Sequence, residues 1–97
     1  MSVGLSAKER RDILLAAARQ PTGQGMVVAS WILGMYNGYE NKVDLADLRS
    51  LDHELKQALL QELYIDSLGG EEIHIRWGIG DKGIDAIRRA QGIEVKD

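Results

Sequence analysis

The chain has 97 residues, 44% hydrophobic and 28% charged, enough for a single globular domain over 1–97 with one core and unlike a disordered polypeptide. It contains no cysteine, which excludes disulfides and thiolate-bound metals and suits a reducing, cytoplasmic setting. A net charge of −3 argues against indiscriminate nucleic-acid binding.

Met1–Ser6 lacks the basic and apolar stretches of a secretory signal. The most apolar run, Met26–Tyr36, is shorter than the roughly 20 residues a membrane span needs. No membrane association is expected.

Ser6-Ala7-Lys8-Glu9 has the form of a capping box and predicts a helix start. Ile13, Leu14, Ala17 and Ala18 then share one face, and Pro21 ends the helix near Gln20. Thr22 can cap a second helix running to an Asn37-Gly38 stop. Its stripe is Val27, Val28, Trp31, Ile32, Met35 and Tyr36, with Trp31 as anchor. Ala29, Ser30, Leu33 and Gly34 form a small opposite face that lets another backbone come close.

After the loop Tyr39–Val43, Asp44 caps a short turn bearing Leu45 and Leu48. Asp52 caps a longer helix with Leu55, Leu59, Leu60 and Leu63 inward, ended by Gly69-Gly70. Glu72–Trp77 alternates with period two and predicts a half-buried strand, with Ile73, Ile75 and Trp77 on one face and His74 and Arg76 on the other. Such a strand needs a mate: Lys42–Leu45, the tail Gly92–Val95, or a second copy of the chain. A last helix covers Asp81–Ala90, with Ile84 and Ile87 inward and Lys82, Arg88 and Arg89 outward.

Charge is divided along the chain. Residues 1–20 and 73–92 each carry a surplus of two bases, residues 21–38 carry no charge, and residues 39–72 hold nine acids against three bases. An uncharged segment between polar ones is expected to be packed on most of its sides.

Gly78-Ile79-Gly80-Asp81-Lys82-Gly83 matches the G-x-G-x-x-G spacing of a dinucleotide-binding turn. The chain ends at Asp97, which leaves room for neither the second strand nor the acid about 20 residues on that such a site requires. The glycines therefore read as a corner between strand and helix, and no cofactor is expected. His53 and His74, the two imidazoles, form no metal-binding motif, so no metal is expected either. No serine lies in a nucleophile elbow. Asp44, Asp47 and Asp52 are spaced as helix-start residues. These readings point away from an enzyme and from catalytic residues.

The candidate interaction surface is the basic C-terminal unit of Arg76, Lys82, Arg88 and Arg89 with His74 beside them. Gly80-Asp81-Lys82-Gly83-Ile84 after a strand resembles the end of a wing in winged-helix proteins, which would imply phosphate contacts. The helix upstream, Asp52–Leu68, has one lysine, Lys56, against Asp52, Glu54, Glu62 and Asp66, a poor recognition helix for a polyanion.

Thr22-Gly23-Gln24 leading into Val28–Leu33, then Tyr36-Asn37-Gly38, Val43–Leu48 and Leu51-Asp52, resembles an uncharacterised family of small, mostly helical bacterial domains found on chromosomes and mobile elements. The likeness covers roughly residues 22–65. It implies a helical domain without an assigned activity.

The expected architecture is mostly α, with four to five helices and one short C-terminal strand or hairpin. The expected function is a small non-enzymatic protein–protein interaction or regulatory module, acting on a protein partner or by self-association. Nucleic-acid binding through the basic C-terminal unit is the alternative.

Overall fold

The computed structural model describes residues 5–93 and residue 95. Its helices are α1 (Ala7–Ala18), α2 (Gly23–Tyr36), a 3-10 helix (Leu45–Ser50), α3 (His53–Ser67), α4 (Ile73–Arg76) and α5 (Gly80–Ala90). The protein is mostly helical, and no strand occurs among the described residues.

Local signals set the first four helix starts. Ser6 Oγ accepts from the Glu9 amide at 3.1 Å while the Ser6 amide donates to Glu9 Oε1 at 3.0 Å, so the capping box forms and satisfies two free donors. The Thr22 hydroxyl accepts from Gly25, the Asp44 carboxylate from Ala46, and the Asp52 carboxylate from Leu55. Helix α2 ends differently from the expected left-handed stop. Asn37 keeps φ at −152°, and its side-chain oxygen accepts from the amides of Tyr39 and Glu40 instead.

The uncharged α2 packs against every other helix: α1, the 3-10 helix, α3, α4 and α5 all touch it. Val28, Ala29, Trp31, Ile32 and Leu33 are buried on several of its sides. The closest backbone approach falls at Gly25, where a Cβ would run into the carbonyl oxygens of Ala17 and Gln20. Only glycine fits that crossing with α1. On α3 the inner positions are Leu55, Ala58, Leu59 and Glu62, spaced i, i+3, i+4, i+7. Leu60, expected inward, is exposed because it lies about 100° past Leu59.

The expected strand at Glu72–Trp77 is corrected: residues 73–76 are the helix α4. A lone strand leaves its amides unpaired, whereas a helical turn pairs them at once. Arg76 N donates to Glu72 O and Trp77 N to Ile73 O, both at 2.9 Å. The apolar pattern serves either conformation, since Ile73 and Trp77 lie at i and i+4. Both are buried, while Ile75 is exposed.

Gly78 stops the turn in the left-handed region (φ +70°). Its amide donates to Ile75 O and that of Ile79 to His74 O, the paired bonds of a Schellman motif. The same pair recurs at Gly92 (φ +72°), with Gly92 N to Arg89 O and Ile93 N to Arg88 O, ending α5. The tail once suggested as the strand's mate therefore begins as a helix cap; its residue 94 lies outside the described residues. Lys42–Leu45 is not extended into a strand either. The glycine corner survives, but it joins two helices.

Long-range polar ties hold the helix ends. Gln91 Nε2 donates to the carbonyls of Ala18 and Gln20, each at 2.7 Å, and so satisfies the C-terminal end of α1. Gln24 Oε1 accepts from the Asp52 amide at 2.6 Å, which links the starts of α2 and α3. The core gathers Leu14, Ile32, Leu59, Ile73, Ile84 and Ile87, all fully buried.

Candidate interaction surface

The strand expectation placed His74 and Arg76 on one face. On a helix two residues are about 200° apart, and the two side chains enter different clusters.

Arg76 turns inward to Glu62 of α3. Glu62 is 1% exposed, the one buried charged side chain among the described residues. Its Oε2 accepts from Arg10 Nε of α1 at 2.7 Å. Its Oε1 accepts from Arg76 Nη2 at 2.9 Å and from Trp77 Nε1 at 2.8 Å. Arg10 Nη1 also donates to the carbonyl of Leu5 at 2.6 Å. Burial pushes the Glu62 carboxyl up, but the hydrogen bonds from Arg10, Arg76 and Trp77 together outweigh it and hold the pKa below its ordinary value. The cluster therefore keeps a carboxylate ionised inside the fold and pins α1, α3 and α4 to one point.

His74 turns the other way. Its ring meets Tyr36 edge-on, with centroids 4.9 Å apart and an interplanar angle of 84°. Tyr36 donates its hydroxyl to Asp81 Oδ1 at 2.9 Å, and that hydrogen bond raises the Tyr36 pKa. His74 Nε2 lies 3.8 Å from Asp81 and Nδ1 3.5 Å from Glu72. Arg88 sits over the Tyr36 ring with Cζ 5.6 Å from its centroid and pairs with Asp85 at 3.0 Å. The end of α2 is thereby latched to α4 and α5.

The five residues singled out in the sequence thus do not form one basic surface. His74 and Arg88 meet around Tyr36. Lys82 and Arg89 are exposed on α5, seven residues apart and so on a common face. Arg76 belongs to the Glu62 cluster. Among the described residues, no group of three or more His, Asp or Glu side chains is placed to hold a metal ion, and no helix is long and apolar enough to cross a membrane.

What the sequence reading missed is the outer face of α3. Leu60, Tyr64 and Leu68, at i, i+4 and i+8, are 48%, 67% and 68% exposed. Four-residue spacing stacks them on one side of the helix. Beside them a groove of about 340 Å³ runs between Leu60, Gln61, Tyr64 and Ile65 of α3 and Arg10 of α1. The leucines were visible in the sequence, but assigning Leu60 inward concealed the stripe. Glu62 could have been found as the acid on the Leu55–Ala58–Leu59 face.

Fold and surface together define a small helical domain with an internal ion cluster and an apolar outer stripe. The chain belongs to a family of unknown function, DUF7673, whose model matches residues 9–92. The likeness of residues 22–65 to an uncharacterised family of small domains is borne out, over most of the chain. No curated protein and no solved structure matches it.

Proposed function

We propose that this domain is a non-enzymatic, cytoplasmic interaction module that docks a protein partner, or a second copy of itself, on the outer face of α3. The observation that carries this reading is the Leu60–Tyr64–Leu68 stripe. Three large apolar side chains in line on one helix are unlike scattered exposed residues and resemble the anchors of helix-face recognition. The rigid support beneath favours it as well, because the Glu62 cluster holds α3 against α1 and α4 and keeps the stripe in a defined place.

Nucleic-acid binding has less support. Arg76 and Arg88, two of the four cations it relied on, are engaged by Glu62 and Asp85. No binding to duplex or single-stranded nucleic acid is expected even at low salt, where such binding is strongest.

Light scattering at high protein concentration and capture of partners from host lysate test the docking reading with Leu60→Asp and Tyr64→Asp. Both substitutions should abolish association while leaving the melting temperature nearly unchanged, because both positions are exposed. A wild-type chain that is strictly monomeric and retains no partner would overturn the reading.

A further inference from the structure

A second depression, of about 330 Å³, borders the α3 groove and shares Arg10 and Ile65 with it. Its walls include Lys8, Arg10, Arg11 and Arg76, with Glu62 and Trp77. Both Glu62 oxygens are already occupied by Arg10, Arg76 and Trp77, so that carboxylate has little left to offer a ligand. Donors remain. Arg76 Nη1 has no hydrogen-bond partner but is itself buried, with the Asp66 carboxylate 3.7 Å away, so the accessible donors are those of Lys8 and Arg11. Arg11 pairs through Nε with Asp12, leaving the forked end of its guanidinium.

Charge fits the same conclusion. Four cations and Glu62 line the cleft, with Asp12 and Asp66 beside Arg11 and Arg76. The surplus is one positive charge, matched by a single carboxylate more closely than by a doubly charged phosphate.

We propose that cleft and groove form one binding surface for a peptide segment carrying a bulky apolar side chain close to an acidic one. The apolar group packs between Leu60 and Tyr64, and its neighbouring carboxylate enters the cleft beside Lys8 and Arg11. The inference rests on the docking role of α3 and adds the chemistry of the partner. Apolar contact supplies affinity, and the carboxylate supplies orientation and selectivity.

Selection of displayed random peptides on the full chain tests it. Enriched sequences should place Asp or Glu within a few residues of Leu, Met, Phe, Tyr or Trp. Synthetic copies should lose about tenfold or more in affinity on K8E/R11E, and likewise on L60D. Circular dichroism and melting confirm that each variant stays folded, and the milder K8Q/R11Q pair should show an intermediate loss. Enriched apolar peptides without acidic preference, unaffected by K8E/R11E, would overturn the carboxylate cleft and leave α3 docking intact. Acidic peptides insensitive to L60D would overturn the joint surface, and tighter binding of a phosphoserine copy would overturn the carboxylate assignment. No enrichment at all would overturn both this inference and the docking role on which it rests.

Discussion

The Glu62 cluster and the Tyr36 cluster use the same materials, an acid, an arginine and an aromatic donor, in opposite surroundings. Glu62 is nearly inaccessible, and its arginine partners' side chains are 12% and 19% exposed. Asp81, which accepts from Tyr36, has a side chain 75% exposed. Removing one member of a buried ion group strands the others away from water, whereas an exposed partner is replaced by solvent. Removing one member should therefore cost far more in the first cluster than in the second, although their bonds have similar lengths.

The largest effect is expected at Glu62. Glu62→Gln should cost about 3–5 kcal/mol, a large share of the total stability of a small domain, seen as a melting point lower by about 4–8 °C for each kcal/mol. Asp81→Asn should cost no more than about 1 kcal/mol. Equal losses at the two sites in calorimetry would break the comparison.

A compound variant sharpens it. R10M/E62L/R76M with W77F replaces the whole buried group by apolar side chains. It should recover most of what E62Q loses, since a buried ion group stabilises little beyond an apolar substitute. If urea denaturation shows it to be as unstable as E62Q, the cluster's worth is more than the avoidance of stranded charge.

Trp77→Phe removes one donor from a charged acceptor and should cost about 1.5–3 kcal/mol, against about 1 kcal/mol or less for Tyr36→Phe.

The pH responses differ in sign. Glu62 titrates lower in the folded protein than in the unfolded chain. Between those two values the unfolded chain binds more protons, so the stabilisation is present above the unfolded pKa, about 4.3, and is lost as pH falls through the depressed one. Stability measured by denaturation should fall across that acid range and the slope should weaken in E62Q. Tyr36 titrates above its ordinary value, so its contribution is present below about pH 10 and is lost as pH rises through the raised value. Tyrosinate absorbance should show Asp81→Asn lowering that pKa, the smallest of these effects.

Much of the helical framework was legible because its signals act over a few residues. Ser6, Thr22, Asp44 and Asp52 each bond an amide two or three positions away, and Pro21 and Gly69-Gly70 sit at helix ends. The absence of charge from residues 21–38 marked α2 as the element with neighbours on most sides. The candidate surface was less legible. The leucines of α3 could be counted, but which faced water depended on where α1 and α4 lay.

By itself, then, the sequence determined four of the helix starts, several of the stops and the uncharged centre, because capping and chain reversal are satisfied locally. Only the tertiary structure decided the conformation of residues 73–76. Their alternating pattern fits a strand or a turn of helix, and without a mate among the described residues the conformation that pairs its own backbone is favoured. Tertiary packing also decided the fate of the charges. Arg10 lies 52 positions from Glu62 and Arg76 lies 14, separations across which no local pattern tells a solvated charge from a buried one.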